Sequence, residues 1–503
     1  MIASVNSLGL QGVHGYFIRV ECYIGPGSPI FDVVGLPDAA VREARERVRA
    51  AIRTLGLDFP DGRITVNLAP AGLRKEGSLY DLPILLSILA ASGQIAHPPE
   101  KAAFVGELSL DAHIRSTDGM LPMSLAAAQN GLEALYCPSE NAVEATLAEH
   151  LTVYPVDSVG SLLDHLAGKA PLQPAPPWKD TPDPDAPRLD FADVKGQFMA
   201  KRACMIAAAG GHHLIFTGPP GAGKSMLASR IASILPPLTR EEAIETTVIH
   251  SVAGILPHDR PLITERPFRA PHHSISVGGL AGGGRIPRPG ELSLAHNGVL
   301  FLDELPEFAP DALEVLRQPI ETGEITLSRV NGTLTYPCRF MLVAAMNPCK
   351  CGYYGTGIRP CRCTEQSVQR YRDRISGPLL DRIDLHLHLP PVRFDELHSD
   401  APSLSSAEIV PKVCAARERQ NLRFHGMPGT YCNAQMTPAM VREFCTLPKA
   451  VETYLEDAFH RLNMSGRAHD RVLRVARTVA DFEGQDSIGV EDIQTALSFR
   501  EEF

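Results

Sequence analysis

The sequence predicts an α/β fold, built on a parallel-sheet core that an α+β domain precedes and a helical region follows. Three observations carry the prediction. First, apolar runs at Gly211 to Thr217, Asn297 to Leu302 and Phe340 to Ala345 are separated by helix-compatible segments. Each leads into glycine-rich or polar residues, as strands of a parallel sheet do at their carboxyl ends. Second, Ala170 to Pro187 reads APLQPAPPWKDTPDPDAP, and proline at this density excludes both helix and sheet interior, leaving a semi-rigid linker. Third, the region before the linker mixes a strand (Ile64 to Leu68), an amphipathic helix (Ala39 to Leu55) and a buried helix (Leu82 to Ser92). The expected divisions are 1–168, a linker at 169–188, a core at 189–395 and helices over 396–503, with Arg467 to Phe482 amphipathic.

At 503 residues the chain is long enough for about three domains of roughly 100 to 200 residues each. Its hydrophobic content of 44% and charged content of 21% are those of an ordinary globular chain, which excludes a disordered polymer. The longest apolar run, Leu82 to Ala91, is far short of the roughly 20 residues that span a bilayer, so no membrane partner is expected. The N-terminal MIASVNSLGLQG has no basic n-region, apolar h-region or cleavage site, and the protein is read as cytoplasmic. Eleven cysteines are then expected as reduced thiols or metal ligands. A net charge of -10 argues against a uniformly basic surface for nucleic acid, although a ring can line a narrow pore with basic residues under an acidic exterior.

Gly218-Pro219-Pro220-Gly221-Ala222-Gly223-Lys224-Ser225 fits the GxxxxGK[ST] pattern, with the strand LIFT before it and the helix-compatible MLASRIASIL after it. Such a loop binds phosphates through its backbone N–H groups and the helix N-terminus. Lys224 is placed to reach the β- and γ-phosphates of ATP, and the Ser225 hydroxyl to ligate Mg2+. Downstream, Val299 to Glu304 (VLFLDE) is an apolar strand delivering two carboxylates, Asp303 for the Mg2+ shell and Glu304 to polarise the attacking water. Asn347, at the end of MLVAAMN, is placed to hold that water or the γ-phosphate; taken alone, an Asn before Pro348 is more often just a turn.

The P-loop, DEL after an apolar strand, AMNP at Ala345 to Pro348 and GPLLDRIDL at Gly377 to Leu385 together resemble the Mg-chelatase-like branch of the AAA+ ATPases, and within it the ComM/YifB family. Long matching segments extend the resemblance over essentially the whole chain: Val34 to Ile52, Ile64 to Ile84 and Phe268 to Gly284. It implies an AAA+ core with a Lon-protease-like domain before it and a helical lid after it. It further implies a homohexamer with ATP between subunits, and a helicase-like motor on branched or duplex DNA. That motor would drive branch migration during recombination of incoming DNA in natural transformation.

By the same resemblance Arg382 is the arginine finger that enters the neighbouring subunit's site; its other reading is an ion pair with Asp381 or Asp384. Arg467 is the expected cis-acting sensor arginine, with Arg471 and Arg474 as alternatives on the same helix face. Gly106 to Gly131 and the segment RKEGSLYDLPI resemble the Lon proteolytic domain. The nucleophile position there falls on Leu79, one residue after Ser78, and the lysine position on Leu121, so a peptidase-inactive domain is implied.

Glu321 to Pro337 (ETGEITLSRVNGTLTYP) reads as two strands around a turn at Asn331-Gly332 and resembles a pore hairpin, with Arg329 near its tip for phosphate or, alternatively, for packing alone. Phe268 to Gly284 resembles the insertion in the second helix of this branch. Its Arg269, His272 and His273 are read as DNA contacts or as structural groups. Finally, Cys349, Cys351, Cys361 and Cys363 form two CxC pairs that can close a structural Zn2+ site or remain four free thiols. Besides a DNA motor, a chelatase-type motor and a protein-remodelling motor share the same engine.

Overall fold

The computed structural model describes residues 1–179, 189–257, 259–284, 287–329, 332–392, 394, 403–427 and 429–500, with the side chains at 329 and 332 outside that description. The chain divides into two compact units. One comprises Met1–Pro182 with Arg240–Ile263; the other comprises Asp183–Thr239 with Thr264–Phe503. Among the described residues, no helix is long and apolar enough to cross a membrane.

In chain order, the first unit contains β1 (Ile2–Gln11), β2 (His14–Gly25), β3 (Phe31–Val34), α1 (Ala39–Thr54), β4 (Arg63–Ala69), α2 (Asp81–Ala91), β5 (Ala102–Phe104), α3 (Met120–Gln129), β6 (Ala134–Pro138), α4 (Ser139–Ala145), β7 (Thr152–Val156) and α5 (Val159–Leu166). A mixed seven-stranded sheet runs β3-β4-β2-β1-β5-β6-β7. The Asp38 carboxylate starts α1 by accepting the Val41 N–H (2.8 Å). The helix then buries Val41, Ala44, Val48, Ala51 and Ile52, a stripe at helical spacing. Every residue of α2 is buried, as its apolar run, interrupted by Ser87, predicts. Its single acid, Asp81, is held by the Arg47 guanidinium (2.5 and 3.0 Å) and the Leu108 N–H (3.2 Å), while burial pushes its carboxyl pKa up.

The helix Arg240–Ala253 lies in this first unit although it follows the P-loop in sequence. The Ser251 hydroxyl donates to Glu144, which also accepts the Leu121 N–H (2.8 Å), and the Ser251 carbonyl accepts the Gly119 N–H (3.1 Å). The proline-rich segment begins on the same unit, where the Ala175 N–H donates to Val153 O (2.8 Å); residues 180–188 of the expected linker lie outside the described residues.

The second unit contains α6 (Phe198–Gly210), β8 (Leu214–Thr217), α7 (Lys224–Ile231), β9 (Phe268–Arg269), β10 (Val299–Leu302), α8 (Arg317–Thr322), β11 (Glu324–Arg329), β12 (Gly332–Pro337), β13 (Met341–Met346), α9 (Glu365–Arg372), β14 (Leu385–His388), α10 (Ser406–Arg423) and α11 (Gly466–Phe482). Five parallel strands run β9-β10-β13-β8-β14, so the three apolar runs seen in the sequence form the centre of the sheet. Residues of β8, β10 and β13 are buried throughout, which is why these strands read as continuous apolar runs without alternation.

A buried polar cluster joins this core to the C-terminal helices. His212 contacts Asp384 through Nδ1 (2.8 Å) and the Thr478 hydroxyl through Nε2 (2.8 Å). One helical turn or less away, Asp481 is fully buried and receives Arg423 (2.6 and 2.7 Å), Arg477 (3.2 Å) and Asn433 (2.8 Å). Removing the charge would leave two sequestered guanidinium groups uncompensated. We therefore expect Asp481→Asn to cost about 3–5 kcal/mol, seen as a lowered thermal unfolding midpoint, whereas an unchanged midpoint would show that water replaces the carboxylate.

Candidate nucleotide site

The site grows from the carboxyl end of β8. Gly218 follows it, and its N–H donates to Met346 O on β13 (3.2 Å). A Cβ at Gly218 would stand 2.6 Å from the Leu389 carbonyl oxygen, closer than any side chain permits. Gly221 and Gly223 take φ of 81° and 86°, the left-handed region that glycine enters without a Cβ clash. The chain then turns into α7 at Lys224, so the helix N-terminus faces the loop it closes. Lys224 is buried, with its ammonium donating to Gly218 O (2.6 Å), Pro219 O (2.9 Å) and Asn347 Oδ1 (3.1 Å). Burial lowers its pKa, and the nearby Asp303 and Glu304 carboxylates oppose that shift.

The buried strand β10 delivers Asp303 beside this loop. Ser225 Oγ donates to Asp303 Oδ2 (2.7 Å), and Asp303 Oδ1 accepts the Glu304 N–H (2.9 Å). Glu304 adopts φ 52°, ψ 46°, a left-handed conformation that costs a non-glycine residue about 1–2 kcal/mol. The turn sends its carboxylate outward, where it is half exposed and 3.5 Å from His273 Nδ1. Asn347 ends β13, presents its side-chain oxygen to Lys224, and donates its backbone N–H to the phenol of Tyr371. Burial pushes that phenol up to about 12, so it stays neutral.

The other residues singled out in the sequence divide into grouped and separate ones. Arg382 pairs with Glu321 at the end of α8 (2.5 Å) and donates to Pro378 O (2.5 Å). Its neighbours Asp381 and Asp384 face elsewhere, Asp381 lying 3.9 Å from Arg471 and Asp384 beside His212. Arg467 is exposed at the start of α11, Arg471 is buried and Arg474 donates to Ala434 O (3.4 Å). Arg269 makes a two-pronged pair with Glu291 (2.7 and 2.6 Å). His272 bonds the Ser274 hydroxyl (2.8 Å), and its ring is tilted by 35° against that of His273 with centroids 4.0 Å apart.

The hairpin β11–β12 is antiparallel, its last pair being Arg329 with Gly332. Residues 330–331, and so Asn331 of the expected turn, lie outside the described residues, as does the Arg329 side chain. The sulfurs of Cys349, Cys351, Cys361 and Cys363 all lie within 4.8 Å of one another.

In the first unit, Leu79 and Leu121 are buried in place of the reactive pair that the Lon resemblance concerns. The Ser78 hydroxyl donates to Glu107. The amine of the buried Lys75 donates to the carbonyls of Pro70 and Leu73, the latter at 2.8 Å.

The residues present fit a nucleoside triphosphate and Mg2+. Lys224 is already dressed in oxygen acceptors at the mouth of an N–H-lined loop, and Ser225 and Asp303 supply the hard oxygen donors that Mg2+ prefers. A parallel sheet whose inner strand feeds such a loop, with paired carboxylates from the strand two places away, defines a P-loop core of AAA+ type.

The family described as magnesium chelatase, subunit ChlI, matches residues 190–397. Its C-terminal description matches 403–500, and subunit ChlI of Mg-chelatase matches 20–141. Protein YifB of Salmonella typhimurium is 43% identical over 502 residues, 99% of this chain and 97% of its own. Competence protein ComM of Haemophilus influenzae is 42% identical over 513 residues, with the same coverage of 99% and 97%. The magnesium-chelatase 67 kDa subunit of Chlorobaculum parvum is 29% identical over 166 residues, 32% of this chain and 23% of that protein. The chain belongs to the ComM/YifB family of Mg-chelatase-like AAA+ proteins.

Sequence reasoning missed Tyr371 and Glu321 and did not connect His273 to Glu304. Nothing local marks any of these pairings, which span 24, 61 and 31 positions in the chain (371-347, 382-321 and 304-273). From the site geometry, Lys224→Ala should abolish nucleotide binding, while Glu304→Gln should retain it and lose about a hundredfold or more in turnover. Fluorescent-nucleotide titration beside phosphate release checks both, and normal turnover by Glu304→Gln would remove Glu304 from its role.

Proposed function

We propose that this chain hydrolyses ATP as a homohexameric motor on branched or duplex DNA, promoting branch migration during recombination of incoming DNA in natural transformation. The observation that carries the reading is the convergence of Lys224, Ser225, Asp303, Glu304 and Asn347 at the ends of adjacent strands. Full-length similarity to a competence protein directs the motor toward DNA.

Within the site, Lys224 binds the β- and γ-phosphate oxygens by giving up its present carbonyl partners. Ser225 and Asp303 hold Mg2+, which supplies charge neutralisation at the phosphates. Glu304 accepts hydrogen bonding from the attacking water, and Asn347 orients that water or the γ-phosphate. Arg382 exchanges Glu321 for the neighbouring subunit's nucleotide, adding positive charge where the transition state becomes more negative. Arg467, or one of Arg471 and Arg474, reports the nucleotide to the lid within the same chain.

The hairpin supports a role on nucleic acid through its surface chemistry. Ile325, Leu327 and Tyr336 anchor one face, while Thr326, Ser328, Thr333 and Thr335 leave an exposed row of hydroxyls on the other. Hydroxyls donate to phosphate oxygens without reading sequence, which suits a translocating contact. Arg329 and the segment bearing Arg269, His272 and His273 complete the proposed DNA-facing set. The Lon-like domain over 1–168 serves assembly or DNA loading without peptidase chemistry. A second reading, a chelatase-type motor, is favoured by the similarity to a magnesium-chelatase subunit over part of the chain.

Phosphate release with and without four-way DNA, beside a sizing measurement in ATP, separates these readings. DNA stimulation by a hexamer-sized species supports the DNA motor; turnover indifferent to every DNA in a ring of that size transfers the proposal to the chelatase reading. Mixing Arg382→Ala with Lys224→Ala subunits should restore part of the lost turnover, because each variant supplies the part the other lacks. Absence of restoration at every ratio would place Arg382 outside the shared site.

A further inference from the structure

The chain between Asn347 and Tyr371 leaves the nucleotide site and returns to it. Its first residue faces Lys224, and its last takes the Asn347 backbone N–H. Between these ends, Cys349 lies 3.4 Å from Cys351 and 3.7 Å from Cys361, and Cys351 lies 3.5 Å from Cys361, measured between sulfurs. A disulfide requires about 2.05 Å, so these are not sulfur–sulfur bonds. Four thiolates at about 2.3 Å from a tetrahedral zinc ion stand about 3.8 Å apart along each edge, close to the observed spacings.

The backbone is arranged for sulfur that carries negative charge. The Cys363 N–H points at Cys361 Sγ (3.4 Å), and the N–H groups of Arg362 and Tyr353 point at Cys351 Sγ. Lys350, Arg359 and Arg362 lie within the same short segment, supplying positive charge against a site whose four thiolates exceed the charge of one divalent ion. Arg359 is held over the Tyr353 ring at 3.5 Å. Each CxC pair therefore comes with amide donors and with a cationic neighbour.

This cluster is built against the phosphate-binding loop. Gly352, with φ of 85°, packs on Pro220 so closely that a Cβ there would stand 2.6 and 2.9 Å from the proline ring and 3.9 Å from Asn347 Cγ. Cys349, two residues after Asn347, is fully buried, and Thr364, the residue after Cys363, caps the helix that carries Tyr371. Asn347, Pro220 and Tyr371 are thus positioned by one 25-residue loop (347 to 371) whose middle has no regular secondary structure to stiffen it.

We propose that Cys349, Cys351, Cys361 and Cys363 bind one zinc ion, and that this ion acts as a strut that holds Pro220 and Asn347 in the geometry that receives the nucleotide. The proposal's second half rests on the nucleotide-site reading above. Metal loading replaces the thiol protons, which pass to solvent, and forms four sulfur–metal bonds with no change in oxidation state. The ion takes no part in phosphate chemistry; the residues it orients do.

The test uses the full chain purified under reducing conditions. Elemental analysis should find one zinc per chain. Replacing the metal with Co2+ should produce the visible absorption bands of tetrahedral thiolate coordination. The double variant Cys361→Ser/Cys363→Ser should lose the metal and bind a fluorescent ATP analogue about tenfold or more weakly, while Cys414→Ser retains both properties. The far-UV circular dichroism and the cooperative unfolding of this double variant should match those of the unmodified protein, which separates strut from fold.

In the unmodified protein, titration with an organomercurial thiol reagent should release zinc and nucleotide in parallel. Absence of zinc together with absent Co2+ bands overturns the metal site. Nucleotide affinity within twofold of the unmodified protein in a double variant that has lost its zinc overturns the strut. Failure of the unmodified chain to bind nucleotide while it carries zinc counts against the nucleotide-site reading and leaves the metal site standing.

Discussion

A buried lysine ammonium has to be surrounded by oxygen, and much of the second unit is arranged to satisfy Lys224. The cost of desolvating an unpaired charge is several kcal/mol or more, so the loop carbonyls and Asn347 must all arrive together. That sets the sheet. Thr217 pairs with Met346 in register, which brings Gly218 and Asn347 out of neighbouring strands side by side. Leu302 pairs with Ala344, so Asp303 emerges on the far side of β13 within reach of Ser225 on α7. A slip of one residue in either pairing would turn β13 over and carry Asn347 away from the ammonium.

The same economy of position extends to the lid. His212 ends the turn before β8, Asp384 immediately precedes β14, and Thr478 lies on α11, and the three meet in one buried contact. Burial alone would raise the Asp384 pKa, but the His212 hydrogen bond and the surrounding positive groups outweigh it and hold the carboxyl at about 2. Arg382 stands two residues from this anchored acid and engages Glu321 at the foot of the hairpin. One short segment therefore touches the lid's polar seam, the sheet's edge strand and, through Glu321, the base of β11.

The P-loop, the DE pair, Asn347 and the three apolar strands were legible because each is a local pattern: spacing fixes the phosphate cradle, and a buried strand is apolar throughout. The short strand β9 and β14, by contrast, carry no such signal. Phe268–Arg269 has two residues, and Leu385–His388 alternates leucine with histidine, so neither resembles the central strands. The placement of Arg240–Ala253 in the first unit was equally silent, since its buried face mixes Thr246, Thr247, His250 and Ser251 with apolar residues. The hairpin was visible from its two strands, yet the ladder closes with Arg329 opposite Gly332, one position earlier than an Asn-Gly turn implies.

By itself the sequence determined the P-loop pattern and the adjacent carboxylates, where the buried strands lie, and that four cysteines sit in two close pairs, because those properties depend on neighbours within a few positions. Tertiary structure alone decided that Arg382 rests on Glu321, that Tyr371 holds Asn347, that Glu304 faces His273, and that the cysteine knuckle presses on Pro220. These are meetings between residues tens of positions apart, and their partners are set by strand register and helix packing. No spacing rule along the chain encodes them.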